Sequence, residues 1–168
     1  AKLHPTLDRQ SHHTELARIA DVYRQHYLYE NPVPAPLFTG VNTLLDGLKS
    51  DGYTLAISTG KSRAGLKQSI DEHKMADYFS VTKCAGENRS KPHPEMLHEI
   101  LQVLNFSNTQ ALMIGDSTHD LKMANNANMQ CIGVTHGVHD TETLEKLNPL
   151  ICLDDITELS DYLNHNKP

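Results

Sequence analysis

The sequence predicts an α/β protein built on a doubly wound parallel sheet. Short apolar segments rich in β-forming residues alternate along the chain with longer segments whose apolar residues recur at helical spacing. The strand-like segments are mostly apolar rather than alternating, which is typical of parallel strands covered on both faces. A regular alternation of strands and helices favours a parallel sheet with right-handed crossovers.

The first 36 residues are predicted to be separate from this sheet. Apolar residues at helical spacing predict an amphipathic helix over Ser11–Tyr29. The proline-rich segment Asn31–Pro36 ends it as a stiff, extended linker. We therefore divide the chain into a helical appendage with a linker over 1–36 and a main α/β domain over 37–168.

Within the main domain, short apolar runs bounded by turn residues predict five strands. In chain order these are Tyr53–Ser58, Tyr78–Thr82, Ala111–Ile114, Cys131–Val134 and Leu150–Leu153. Helices are predicted where apolar residues fall on one face. They are Val41–Ser50, a helix marked by Leu66 and Ile70, a helix marked by Leu97, Ile100, Leu101 and Leu104, and the helices Asp120–Asn128, Thr141–Leu147 and Ile156–Leu163.

The composition argues against several classes of protein. The net charge of −6 and the lack of a basic stripe argue against a nucleic-acid surface. No apolar run approaches the roughly 18 residues of a membrane span, so no membrane partner is expected. The three scattered Cys, without a CxxC pair, are typical of a reduced, cytoplasmic protein. The 11 His are spread along the chain and are interpreted as surface residues.

Polar groups stand where ligands meet an open α/β sheet, which is the crevice at the carboxyl ends of the strands. Thr59 and Gly60 follow the first strand. A hydroxyl, a glycine that allows close approach and N–H groups near a helix start together suit a phosphate. Lys91 lies in Lys-Pro-His-Pro, where the prolines stiffen the loop and the ammonium can face negative charge. Taken singly, Thr59 is explained equally well as an ordinary turn residue, and Lys91 is better explained as a solvated lysine.

The third strand ends in Gly115 and Asp116, with Asp120 four residues further on. Mg²⁺ takes oxygen ligands and usually only one or two carboxylates, with water and substrate completing its shell. Asp116 is the candidate direct ligand, and Asp120 is a candidate to bind through water or to orient Lys91. A first-turn acid at the start of a helix is the alternative interpretation of Asp120, and Ser117 is the candidate cap of that helix.

The order of these groups resembles motifs two, three and four of the haloacid dehalogenase (HAD) superfamily. The matching features are a hydroxyl after an apolar strand, then Lys-Pro-x-Pro, then apolar-Gly-Asp-Ser-x-x-Asp followed by Ala-x-x-Ala. Val134-Thr-His-Gly137 resembles a pattern of the phosphoglycolate phosphatase-like branch, and the Ser11–Tyr29 helix resembles the last part of the family's helical cap. The resemblance implies a HAD-like Rossmannoid core with a partial helical cap.

The resemblance also implies a function. In this family a catalytic Asp attacks the substrate phosphorus and forms an aspartyl-phosphate, while Mg²⁺ neutralises the phosphoryl oxygens. Carried onto this chain, it implies that Thr59 and the Gly60 amide hold the phosphate and that Lys91 neutralises the phosphoryl group. Asp116 would hold Mg²⁺, supported by Asp120. The implied substrate is a small phosphomonoester, and the cap that would select it is mostly absent.

One family motif is missing, because the sequence contains no Asp-x-Asp. In the family this motif supplies the nucleophile and the general acid/base at the end of the first, central strand. We therefore expect that this strand is absent, that the chain is part of a longer protein, and that it is inactive alone. Two strands would then have unpaired backbone groups, so we expect instability or self-association through the gap.

Two other interpretations stay open. The chain could be a non-catalytic phosphate- or metal-binding module, or a structural protein that keeps the scaffold. Mutase and dehalogenase branches share the motifs, although the predicted metal ligand Asp116 argues against halide displacement, which needs no metal.

Overall fold

A computed structural model describes residues 14–16, 18, 19, 22 and 36–166 of the chain. Two compact units are distinguished, Ala1–Pro36 and Leu37–Pro168. The described residues of the first unit between 14 and 22 are helical, and Arg18 forms an ion pair with Glu15 at 2.8 Å. The remainder of the predicted Ser11–Tyr29 helix, and the linker before Pro36, lie outside the described residues. The assignment of the first unit to a helical cap stays a prediction.

The second unit has the alternating order of strands and helices that the sequence predicts. The strands are β1 Leu55–Ser58, β2 Phe79–Lys83, β3 Leu112–Gly115, β4 Gln130–Val134 and β5 Cys152–Leu153. The helices are α1 Val41–Ser50, α2 Arg63–Glu72, α3 Glu95–Leu104, α4 Thr118–Asn126, α5 Thr141–Glu145 and α6 Glu158–His165, with a 3₁₀ turn at Asn108–Gln110. None of the helices described is both long and apolar enough to cross a membrane.

The first strand begins later than predicted, at Leu55 instead of Tyr53. Gly52 has a φ of 86°, and the Tyr53 N–H donates to the Leu48 carbonyl at 2.9 Å. This bond closes the C-terminal turn of α1, since an N–H just past the helix satisfies a carbonyl of its last turn. The Tyr53 amide therefore belongs to the helix end and not to the strand.

The strands are parallel, as predicted, but their hydrogen bonds form two sheets. β1 pairs with β2, and β3, β4 and β5 form the second sheet in that order. The predicted absence of a central strand stays a prediction. Both sheets contribute to the same core all the same, because Leu55 of β1 packs on it together with Leu112 and Ile114 of β3.

Helices cover both faces, which confirms the doubly wound architecture. Alternate residues of β4 point to opposite faces, and Cys131 and Ile132 belong to two different clusters. Helices α3, α4 and α5 supply the first cluster, with Met96, Leu97, Leu101, Leu121, Met123, Ala124 and Leu144. Helices α1 and α6 supply the second, with Leu44, Leu48 and Leu159.

Exposure differs between the strands in an informative way. In β4, every residue after Gln130 is buried. In β1, by contrast, no residue is fully buried, and in β3 only Gly115 is. Apolar strands of a doubly wound sheet are ordinarily covered on both faces and by neighbours on both sides. β1 and β3, at which the two sheets end, therefore have the exposure of edge strands.

Candidate active site

Lys91 connects the two sheets at the carboxyl ends of their strands. Its Nζ donates to the backbone carbonyl of Ser58, the last residue of β1, at 2.8 Å, and pairs with Asp120 Oδ1 at 2.5 Å. The side chains of the ion pair are 14% and 9% exposed. An ammonium has three N–H donors, so these two contacts leave a third for a ligand. The geometry makes Lys91 a fixed, poorly hydrated positive charge.

Asp120 faces Lys91 because of how α4 begins. Ser117 caps the helix, and its hydroxyl oxygen accepts the Asp120 N–H at 3.3 Å. The same hydroxyl donates to Asp120 Oδ2 at 2.5 Å, so both carboxylate oxygens have partners. The helix therefore starts at Thr118, two residues earlier than the predicted Asp120. This arrangement favours the role of orienting Lys91 over direct contact with a cation.

Gly115 is needed for the approach of this carboxylate to the end of β3. A Cβ at Gly115 would lie 2.4 Å from the Asp120 Cβ, far inside van der Waals contact. The Gly-Asp sequence at the strand end thus leaves room for the acid of the following helix.

Asp116 lies at the turn between β3 and α4, directly before the cap residue Ser117. Its Oδ2 accepts the Val138 N–H at 3.1 Å, and its backbone carbonyl accepts the His139 N–H at 3.1 Å. No described residue donates a hydrogen bond to the other oxygen, Oδ1. Asp116 is half-buried, so this oxygen is available to a ligand entering from the strand ends.

Thr59 and Gly60 directly follow the Ser58 carbonyl that Lys91 contacts. The Thr59 N–H donates to the Lys83 carbonyl at 3.0 Å, and its hydroxyl oxygen accepts the Lys61 N–H at 3.2 Å. The hydroxyl proton is then left to donate to an anion. The space around Gly60 is open, with no atom within 4 Å of where a Cβ would stand. The helix marked by Leu66 and Ile70 starts close by, as predicted, because Ser62 is the cap of α2.

A methionine pair lies behind the same strand end. The Ser58 hydroxyl contacts the thioether sulfurs of Met96 at 3.4 Å and Met123 at 3.8 Å. Met96 is 1% exposed and Met123 is 0% exposed. One residue of β1 therefore contacts both α3 and α4 with its side chain and Lys91 with its carbonyl.

An ion pair fixes the loop that leads from β2 toward Lys91. The Arg63 guanidinium donates to both oxygens of Glu87 at 2.7 Å and to Thr82. These hydrogen bonds lower the pKa of Glu87 to about 2, and the Cys84 N–H, which donates to the same carboxylate, adds to the effect. Burial raises the pKa of the Cys84 thiol, so this cysteine is not a reactive nucleophile.

The donor set fits a magnesium ion in part. Asp116 offers one carboxylate oxygen, while Asp120 is engaged by Lys91 and Ser117. The described residues contain no group of three or more His, Cys, Asp or Glu that could enclose a metal. Mg²⁺ is compatible with one protein carboxylate when water and substrate phosphate complete its octahedron. The site therefore suits a cation that a phosphorylated ligand would help to bind.

Sequence reasoning found the side chains at the strand ends but missed the groups that hold them. The Ser58 carbonyl is a backbone atom, which no motif reveals. Gly137 ends the pattern Val134-Thr-His-Gly137, but the pattern does not indicate what Gly137 does. Val138 and His139 come directly after it. The pairing of β3 with β4 explains why the loop after β4 lies next to Asp116, because the loops that follow two paired parallel strands are adjacent. A prediction of this pairing would have pointed to that loop.

Comparisons with known proteins identify the family of the chain. Residues 3–134 match the family model described as haloacid dehalogenase-like hydrolase. The chain is 37% identical over 139 residues to the protein named "Probable phosphatase IndB" of Dickeya dadantii, covering 82% of this chain and 60% of that protein. It is 34% identical over 128 residues to a phosphoglycolate phosphatase of Psychrobacter arcticus, covering 75% of this chain and 55% of that protein.

The fold agrees as well. A haloacid dehalogenase-like hydrolase structure from Streptococcus pneumoniae superposes with a TM-score of 0.77 at 23% identity, covering 94% of this chain and 72% of that one. The chain thus spans less than two thirds of the length of the two sequence relatives. With the family model matched over most of its residues, the chain belongs to the haloacid dehalogenase-like hydrolase family, and within it is similar to the phosphoglycolate phosphatases.

Proposed function

We propose that the protein is a Mg²⁺-dependent phosphatase of small phosphomonoesters that works through an aspartyl-phosphate. The observation that carries the proposal is the largely shielded Lys91, which holds a positive charge between the end of β1 and the start of α4. Such a charge, fixed before the substrate arrives, favours a phosphoryl group whose negative charge develops in the transition state. The similarity to phosphatases over most of the chain supports the same class.

Each strand-end group has a role in this proposal. The Thr59 hydroxyl and the Gly60 amide donate to phosphoryl oxygens, because the hydroxyl proton is available and the backbone is accessible. Lys91 donates its third N–H to the phosphoryl group, whose negative charge its ammonium neutralises. Asp120 and Ser117 keep Lys91 in place. Asp116 contributes a carboxylate oxygen to Mg²⁺, which when bound would neutralise the phosphoryl oxygens.

The attacking carboxylate is proposed to come from outside this sequence, which has no Asp-x-Asp. A hydroxyl at Thr59 or an amine at Lys91 would not give an acyl phosphate, so neither substitutes for it. This chain alone is therefore expected to bind a phosphomonoester but not to hydrolyse it. The three cysteines are free, which supports a working place in a reducing compartment such as the cytoplasm.

Hydrolysis of p-nitrophenyl phosphate tests the proposal, with Mg²⁺ and with EDTA, on this chain and on a longer form that carries an Asp-x-Asp segment. We expect turnover only by the longer form and only with Mg²⁺. Asp116→Asn should lower kcat by about 10²-fold or more, as loss of one electrostatic group in an active site commonly does. The matched control is Asp140→Asn, because Asp140 only caps α5 through the Thr143 N–H.

The outcomes separate the candidate functions. Turnover by this chain alone would overturn the assignment of the attack to a carboxylate outside it. Phosphate binding without turnover by every form would instead identify a non-catalytic binding module. Turnover that EDTA leaves unchanged would contradict the role of Mg²⁺.

A further inference from the structure

The loop after β4 closes around Asp116. Three consecutive residues contact it: Gly137, Val138 and His139. The Val138 N–H donates to Asp116 Oδ2 at 3.1 Å, and the His139 N–H donates to the Asp116 carbonyl at 3.1 Å. Both the side chain and the backbone of the acid are therefore held by one short segment.

Gly137 makes this contact sterically feasible. A Cβ at this position would lie 2.1 Å from Asp116 Oδ2 and 2.4 Å from the Asp116 Cβ. Gly137 does not have a positive φ, so the close approach and not the backbone conformation requires glycine here. Any side chain would push the carboxylate out of its present orientation.

His139 also contacts the first residue of α4, on the far side of Asp116 along the chain. Its Nδ1 accepts the Thr118 N–H at 3.3 Å, which is one of the N–H groups that have no partner within a first helical turn. Together with the Ser117 cap, this bond fixes the start of α4 immediately after Asp116. The acid is thus fixed on both sides along the chain.

We propose that Gly137, Val138 and His139 are positioning residues that orient Asp116, taking up Oδ2 so that Oδ1 is presented to a divalent cation. This inference rests on the proposed function for the identity of its cation. The orientation itself is a property of the protein without metal. A rigid carboxylate binds a cation more tightly than a mobile one, because less rotamer freedom is lost on binding.

Amide hydrogen exchange tests the orientation without metal or substrate. Val138 is 69% exposed, so the bond to Asp116 is its main protection from exchange. We expect Asp116→Ala to speed exchange of the Val138 amide by about 10-fold or more, and Gly137→Ala to do the same. An exchange rate that is the same in the unmodified chain and in both variants would overturn the proposed contact.

Manganese binding in the presence of inorganic phosphate, followed by electron paramagnetic resonance, tests the consequence. Gly137→Ala should weaken Mn²⁺ binding by about 10-fold, equivalent to roughly 1.4 kcal/mol. Gly47→Ala is the matched control, because a Cβ at Gly47 meets no atom within 4 Å and should leave the affinity unchanged. Equal affinities in Gly137→Ala and the unmodified chain, or no Mn²⁺ binding by the unmodified chain, would overturn the proposal.

If Gly137→Ala fails to fold, a second pair of variants tests the proposal instead. His139→Ala removes the acceptor for the Thr118 N–H, whereas His139→Asn offers a side-chain oxygen in its place. We expect weaker Mn²⁺ binding in the first and recovery in the second, which a loss of packing alone would not produce. Absence of p-nitrophenyl phosphate hydrolysis by the longer form that carries an Asp-x-Asp segment would reject the phosphatase proposal and leave both of these measurements intact, so the two failures are distinguishable.

Discussion

At the scale of single residues, the site depends on a partly buried cation, Lys91, paired with a buried anion, Asp120. Lys91 and Asp120 are both removed from most of the water, and each is the other's charged partner. Taking either charge from such a pair leaves the other without compensation in a poorly hydrated place. The sequence placed both residues at strand ends, but it did not show whether Asp120 binds metal or Lys91, because that depends on the Ser117 cap.

Lys91→Met tests the energetic importance of this pair. We expect it to lower the free energy of unfolding by about 3–5 kcal/mol, because Asp120 would keep a buried charge without a partner. Lys146→Met is the control, since the Lys146–Glu142 pair is 67% and 85% exposed. Its loss should cost less than about 1 kcal/mol. Urea denaturation of both variants measures the difference, and equal losses would contradict this account.

At the scale of elements, periodicity predicted the order of strands and helices, and caps decided where they begin and end. Apolar spacing is a property of whole segments, so the sequence revealed every helix and strand of the main unit. Their ends depend on single hydrogen bonds. The Tyr53 amide is used by α1, and the Ser117 hydroxyl starts α4 two residues early. Such choices depend on geometry that a pattern of apolar residues does not contain.

The link between α2 and the loop after β2 gives a prediction in acid. The pKa of Glu87 is lowered to about 2 by the Arg63 hydrogen bonds, from an ordinary value of 4.5. The unfolded chain then binds more protons between these values, so stability from this group is complete above pH 4.5 and is lost as the pH falls toward 2. Glu87→Gln should flatten the dependence of the unfolding free energy on pH in this window.

Arg63→Gln should produce the same flattening, because it removes the donors that lower the pKa of Glu87. The pair is half-exposed, so added salt should reduce the effect in the unmodified chain. Urea unfolding at several pH values measures the effect of Glu87→Gln, the effect of Arg63→Gln and the effect of added salt on the unmodified chain. A slope that Glu87→Gln does not change would assign the acid sensitivity to other carboxylates.

At the scale of the whole molecule, the main unit has two parallel sheets that share a core but no hydrogen-bonded strand pair in the described residues. The sequence predicted the fold class, since alternation alone favours a doubly wound sheet. It also led us to expect two strands with unpaired backbone groups, but not which strands these are, because the pairing of strands depends on hydrogen bonds that the alternation of elements does not reveal. The structure shows that β1 and β3 are apolar strands that are only partly buried.

Exposed strand edges favour association with other chains, so we expect this chain alone to self-associate or to be unstable. Sedimentation velocity measures this directly, and a stable monomer would contradict it. Ala56→Lys places a charge on exposed β1 and should reduce association. Val103→Lys is the control, because Val103 is 66% exposed on α3, away from the strands, and should leave association unchanged.

The contact of the Ser58 hydroxyl with two thioethers has a consequence for oxidative damage. Both methionines are shielded from solvent, so peroxide would reach the sulfurs only when the strand and its two covering helices separate. A sulfoxide formed there would add a polar oxygen where Ser58 now packs, and would hinder reclosure. The extent of methionine oxidation would thus measure how often the end of β1, directly before Thr59 and Gly60, separates from the helices that cover it.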